Sequence, residues 1–268
     1  MATILASSAR GVSRAFSIFL LATALAFVAT PSRASKTFSG TAPGNNPGET
    51  NSASATFYLS ISGTITNLEI DLRNTANYKP NDPADILTAL FFRIDGDPVL
   101  VRGSAVLDAG SAVVNIGAMP QPAGGVVGGE WAYKGGLTQA PLGANQGVSA
   151  TGLNFFGPND LFPGPSLPGF GGNAPDGVGY GITTDVDDGS QHNRGLFQRA
   201  LIQGGVTFVL LEIPGDFKLS DISDVTAQLG TSLNEPQIQL IQTVPEPSTV
   251  ALSAIGILFL GFANRKRR

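Results

Sequence analysis

The sequence predicts an all-β fold: an antiparallel β-sandwich of jelly-roll or lectin-like type, flanked by an N-terminal signal helix and a C-terminal transmembrane helix. Three observations carry that prediction. Short runs of residues alternate apolar and polar with period two, the pattern of strands with one buried face. Glycine and proline are abundant, 34 and 18 of 268 residues, which favours many turns and short strands over helices. Uninterrupted apolar stretches occur at the two ends, each beside basic residues.

At the N-terminus, Arg10 and Arg14 precede the charge-free stretch Ala15 to Ala29, followed by Thr30-Pro31-Ser32-Arg33-Ala34-Ser35. A basic region, a short apolar region and small residues at a cleavage site define a secretory signal peptide. The apolar stretch falls short of the roughly 20 residues a membrane span needs. Ser32 and Ala34 fit the shallow pockets of a signal peptidase, so residues 1–34 form the leader and the cut falls between Ala34 and Ser35. Residues 35–54 are mainly Gly, Pro, Asn, Ser and Thr and predict a flexible or edge segment before a β domain over 55–243.

Within that domain, Phe57, Leu59 and Ile61 alternate with Thr56, Tyr58, Ser60 and Ser62, and Leu68, Ile70 and Leu72 with Glu69, Asp71 and Arg73. Residues Gly63 to Asn67 can turn this pair into a hairpin. Leu87 to Ile94 reads as a strand ending in Asp95-Gly96-Asp97-Pro98, whose Asp-Gly step suits a tight turn. Val99 to Arg102, Ala105 to Leu107 and Ala112 to Ile116 follow as short runs. Gly128-Gly129-Glu130-Trp131-Ala132-Tyr133-Lys134 is a candidate strand flanked by glycines. The stretch Gly157 to Gly177 is rich in Gly and Pro, and a loop of that length is either functional or ordered on the surface. Val178 to Thr184, Val206 to Ile213, Ile222 to Leu229 and Ile238 to Thr243 complete about ten strands, with Leu196 to Gln203 readable as helix or strand. A sandwich is the natural way to bury so many half-apolar strands.

The ending Val244 to Arg268 has three parts: Pro245-Glu246-Pro247, an apolar run from Val250 to Ala263, and the basic stop-transfer cluster Arg265, Lys266, Arg267 and Arg268. A 14-residue helix over the run spans about 21 Å, and Ser248, Thr249 and a snorkelling Arg265 bring it near the roughly 30 Å hydrocarbon core. The basic cluster then lies on the cytoplasmic side and the domain outside. The order and spacing of these parts resemble the PEP-CTERM sorting signal of bacterial surface proteins. The resemblance implies recognition of Pro245, Glu246 and Pro247 by an exosortase, a membrane-embedded cysteine transpeptidase-like enzyme, with loss of the helix and delivery to the cell surface or extracellular matrix. Two further segments carry similar likenesses. Ile222 to Val225 with Gly230 to Pro236 resembles the last strands of sandwich domains common in exosortase-sorted proteins, and Gly-Gly-Glu-Trp-Ala-Tyr-Lys resembles one exosortase-dependent surface-protein family.

Composition narrows the function classes. Between Ser35 and Gln242 there are 19 Asp and Glu against 9 Lys and Arg, a charge of about −10. Such a balance disfavours nucleic acid and anionic lipid as partners of the domain, since both need clustered basic residues. The sequence has no cysteine, which removes thiol chemistry, Cys-ligated metals and disulfide support, and requires a core that holds unaided.

Candidate chemistry is sparse. The single histidine, His192, lies in Asp185-Val186-Asp187-Asp188-Gly189-Ser190-Gln191-His192 and reads as a polar loop residue, with no nucleophile-elbow pattern elsewhere. Glu130 beside Trp131 is the best candidate for carboxylate chemistry on a sugar, although Trp131 reads better as core packing. Asp185, Asp187 and Asp188 offer oxygen ligands for calcium in one loop, with a spacing that departs from the EF-hand; Asp95 and Asp97 form a weaker pair. The resulting expectation is a non-enzymatic exported surface or matrix protein, associated with extracellular polysaccharide or biofilm. A secreted carbohydrate-active enzyme on the same fold is the other class.

Overall fold

A computed structural model describes residues 34–62, 65–114, 121–168 and 174–243. Fourteen strands make up the described domain: β1 (Ser35–Pro43), β2 (Thr50–Ser62), β3 (Ile65–Asn74), β4 (Leu87–Ile94), β5 (Val101–Leu107), β6 (Ala112–Val114), β7 (Ala132–Gly135), β8 (Gln146–Ser149), β9 (Ile182–Thr183), β10 (Leu201–Gln203), β11 (Gly205–Leu211), β12 (Ile222–Leu229), β13 (Gln237–Gln239) and β14 (Ile241–Thr243). The helices among the described residues are single 3₁₀ turns, and none is long and apolar enough to cross a membrane. The signal helix and the transmembrane helix of the sequence reading lie outside the described residues.

Two sheets face each other. One has the order β14-β1-β2-β3-β11-β5; the other runs β13-β12-β4-β9-β10-β6, with the β7–β8 ribbon branching from β4. The alternation on β2 and β3 does what its period requires. Ala53, Ala55 and Phe57 of β2 and Leu68, Ile70 and Leu72 of β3 are buried, while Thr56, Glu69 and Asp71 lie on the other face. Aromatic rings join the layers: Phe57 meets Phe92 of β4 edge-on at 5.3 Å between centroids, and Phe208 of β11 meets Trp131 at 5.0 Å. Such pairs contribute about 0.5–1.5 kcal/mol beyond their buried area.

β4 has no alternation, for a physical reason. Its inward residues Leu90, Phe92 and Ile94 join the main core, and Ala89 and Phe91 on its other face pack with Leu137, Ala140, Leu153 and Phe156 in a second apolar cluster. A strand covered on both faces reads as a continuous apolar run. The turn after it puts Gly96 at φ 81, a conformation glycine adopts readily, and the residue after the Asp95-Gly96 step, Asp97, at φ 44.

Several expectations need correction. Of the flexible and edge readings of residues 35–54, the flexible one fails: most of the segment is strand. β1 occupies Ser35–Pro43, pairing with β2 along its whole length, and β2 begins at Thr50. Only Phe38 of β1 is deeply buried, so its side chains carry little alternation to read. The pairing is antiparallel except between β9 and β10, which run parallel through Ile202↔Ile182 and Gln203↔Thr183. Val101 and Arg102 join Ala105 to Leu107 in one strand, β5, with Val99 and Leu100 outside it, and Val178 to Thr184 contributes only the two residues of β9. Leu196 to Gln203 resolves into turn and strand, its last three residues forming β10. Ile238 to Thr243 is two strands in different sheets: β13 pairs with β12 and β14 with β1.

Candidate functional site

Three places in the fold bear on function, and each is built from local chemistry. The first is the edge where the chain leaves the sandwich. Ile238 on β13 is buried in the core, and the next inward residue, Leu240, is also buried, its backbone N donating to Val225 O at 2.9 Å. The chain then crosses to the other sheet, which needs close approach to β1. A Cβ at Gly40 would collide with the carbonyl of Gln239, so only glycine fits beneath the crossing. β14 follows as three exposed residues paired antiparallel with β1 through Ser39↔Ile241, Phe38↔Gln242 and Thr37↔Thr243. The Thr243 hydroxyl reaches Thr37 O at 3.3 Å. Because the pair is antiparallel, the start of β1 and the end of β14 lie at the same end of the sheet. Ala34 and Ser35, the predicted leader cleavage pair, are exposed there, with Ser35 as the first residue of β1. Pro245, Glu246, Pro247, Arg265, Lys266, Arg267 and Arg268 lie outside the described residues.

The second place is the Glu130–Trp131 segment. Gly128, Gly129 and Glu130 form a buried 3₁₀ turn leading into β7. The proline-rich stretch packs on its glycines: a Cβ at Gly128 would collide with Pro163 O, and one at Gly129 with Pro165 O. Glu130 Oε1 accepts the backbone N–H of Leu167 at 2.6 Å and holds the loop from its other side. Burial pushes the Glu130 carboxyl above its usual range, the hydrogen bond from Leu167 opposes this, and Asp176 reinforces it. Trp131 is fully buried and donates its Nε1–H to Tyr180 O at 3.0 Å. The tryptophan is core, as the sequence reading preferred, and its ring has no exposed face to stack on a sugar. The loop from Gly157 onward is thus an ordered covering over its described residues, secured by Glu130 and by bridges at Ala132↔Leu161 and Thr151↔Asp176.

The third place is the acidic loop after β9. Asp185 is exposed, and its carbonyl accepts from Gln203 Nε2 at 2.8 Å. Asp188 is exposed and pairs with Lys79 at 2.6 Å, while its other oxygen accepts from Ser190. Asp187 turns inward. Its side chain and that of His192 are each 1 % exposed, with Nε2 3.1 and 3.0 Å from the two carboxylate oxygens. Thr183 Oγ1 and Gly189 N also donate to Asp187, at 2.5 and 2.8 Å. Burial pushes this carboxyl up, but the hydrogen bonds from His192, Thr183 and Gly189 outweigh it and hold Asp187 below its usual range. An ionised carboxylate only accepts, so Nε2 is the protonated nitrogen facing it. The Asp187 and Asp188 carboxylates therefore serve different partners, Gln203 Nε2 bridges the backbone carbonyls of Asp185 and Asp187, and among the described residues no group of three or more His, Cys, Asp or Glu side chains converges as a metal site. Asp97 is likewise engaged, accepting from Gln146 Nε2 at 2.8 Å, and Asp95 lies 3.6 Å from Arg93.

One polar centre had no signal in the sequence. Asp85 is fully buried and accepts from Tyr78 OH at 3.2 Å, Asn45 Nδ2 at 3.1 Å and the backbone N–H groups of Asn81 and Asp82. It ties the β1–β2 loop to the β3–β4 connection, at the end of the sheet away from Ser35 and Thr243. The Asp82-Pro83-Ala84-Asp85 capping turn was the only available hint.

Comparison with known proteins identifies one segment of the chain, at its C-terminal end. Residues 243–268 match the PEP-CTERM protein-sorting motif, which marks an exported, exosortase-processed surface protein. No curated protein and no solved structure matches the chain significantly. The motif begins at Thr243, the last residue of β14, so the last strand among the described residues ends where the match starts.

Proposed function

We propose that this chain is a non-enzymatic exported surface or extracellular-matrix protein whose lectin-like sandwich associates with extracellular polysaccharide in a biofilm. The leader is removed by signal peptidase between Ala34 and Ser35. An exosortase then acts at Pro245-Glu246-Pro247, with the C-terminal helix serving as a transient membrane anchor and its basic tail in the cytoplasm. The abutment of the sorting motif on β14 is the observation that carries the sorting part: a cut at Pro245-Glu246-Pro247 spares every described strand. The non-enzymatic part is supported by what the reactive side chains do. Glu130 secures a loop, and His192 is closed off against Asp187.

Intact-mass spectrometry of the protein from its native host, beside a strain lacking the exosortase, tests the sorting. A mass beginning at Ser35 and ending near Pro245 to Pro247 in the wild type alone is the expected result. A mass retaining Arg268 in both strains would reduce the tail to a plain anchor. The mature domain should bind extracellular polysaccharide from its host and leave chromogenic glycosides and peptides untouched. Turnover abolished by Glu130→Gln would establish the carbohydrate-active enzyme instead.

A further inference from the structure

We infer that β14 is a releasable leash, which must unzip from β1 before the sorting enzyme can take Pro245-Glu246-Pro247, with Leu240 as the point where unzipping stops. The inference rests on the sorting reading and adds a step to it.

The argument begins with reach. Thr243 is paired with Thr37, and Pro245 is two residues further on, so an extended chain places it within about 7 Å of the sheet edge. An enzyme that cuts a polypeptide holds it extended, with residues before the cut lying in its cleft through main-chain hydrogen bonds. Residues Ile241 to Thr243 cannot pair with β1 and occupy that cleft together. The folded sandwich also stands against the enzyme while β14 is paired. Unzipping adds three residues, about 10 Å, to the free segment.

The structure makes that release local. All three β14 residues are exposed, Ile241 at 68 %, so detaching them uncovers little apolar surface. Pairing is confined to three positions of the nine-residue β1. One residue earlier the situation reverses. Leu240 is 4 % exposed and bonded to Val225, Ile238 is 1 % exposed, and β13 is paired with β12 in the other sheet. Peeling past Leu240 would open the core, so the leash has a defined length.

A covalent lock tests this in the full-length chain in its native host. Thr37 and Thr243 are directly opposed in an antiparallel pair, where Cα atoms lie about 4.5–5.5 Å apart, within disulfide range. The chain has no cysteine to compete. The Thr37→Cys/Thr243→Cys protein, oxidised on export, should accumulate as precursor with processing at least tenfold slower than wild type. The two single-cysteine proteins should be processed normally, and reduction should release the doubly substituted one. Inserting eight Gly/Ser residues after Thr243 should restore processing with the lock still closed. Wild-type processing of the locked protein would overturn the leash, as would locked protein that neither reduction nor the insertion rescues. Failure of the wild type itself to be cut near Pro245 to Pro247 would instead defeat the sorting reading, and the leash with it.

Discussion

Truncating Trp131 separates a core tryptophan from a sugar-stacking one. Its indole is fully buried, meets Phe208 at 5.0 Å and donates to Tyr180 O at 3.0 Å. Trp131→Ala therefore leaves a large cavity, a change that costs about 3–5 kcal/mol in well-packed cores. Losing the indole N–H leaves the Tyr180 carbonyl without that donor, adding on the order of 1 kcal/mol. For a domain of about 200 residues, each kcal/mol lowers Tm by roughly 2–4 °C, so a total near 5 kcal/mol corresponds to about 10–20 °C. Trp131→Phe keeps most of the packing and should cost about 1–3 kcal/mol. Calorimetry and urea unfolding followed by far-UV circular dichroism measure both. A Trp131→Ala protein within about 1 kcal/mol of wild type, yet deficient in polysaccharide binding, would refute the core assignment.

Other consequences are as specific. Asp187→Asn removes the charged acceptor of three hydrogen bonds and should destabilise the domain by on the order of 3 kcal/mol. Because the folded carboxyl is held below its usual range, its contribution is present above the unfolded pKa near 3.9 and is lost as pH falls through the lower folded value; acid unfolding of Asp187→Asn should lack that segment of the curve. Gly40→Ala forces a Cβ against Gln239 O and should cost about 1–3 kcal/mol, with limited proteolysis showing the chain freed from β13 onward. Calcium and chelator should each move Tm by less than about 1 °C, because the Asp187 and Asp188 carboxylates are already taken by His192 and Lys79; a rise of several degrees with calcium would show that the loop rearranges around an ion.

What was legible in the sequence followed the number of faces a strand buries. β2 and β3 could be read because one face meets the core and the other is largely uncovered, whereas β12 was read from Ile222, Val225, Ala227 and Leu229 although Thr226 and Gln228 between them are buried too. β4 announced itself as an apolar run because loops cover its outer face. β1 was invisible: a strand of Ser, Thr, Gly and Ala with a single deeply buried side chain, Phe38, has no periodic signal. β8 was missed for the opposite reason, since Gln146 and Ser149 are polar yet fully buried, satisfied by Tyr133, Asp97 and the Thr151 carbonyl. The division of Ile238 to Thr243 between sheets depends on Gly40, some 200 positions away, and no local window holds that information. His192 looked like a solvated loop residue because its burial is created by Asp187 turning inward, a tertiary outcome. The sorting motif needed no fold at all, since its recognition is written in contiguous residues.

The short outer strands matter for a protein exported to a crowded surface. β14, β13 and β6 bound the two sheets on three sides, and each has only three residues. An unpaired strand is a template on which another chain can add itself, and the hazard grows with its length. Three residues offer a neighbour only a short ladder, whereas the fourth edge, β5, has seven. The nine residues of β1 would offer more, and β14 covers three of them, Thr37 to Ser39.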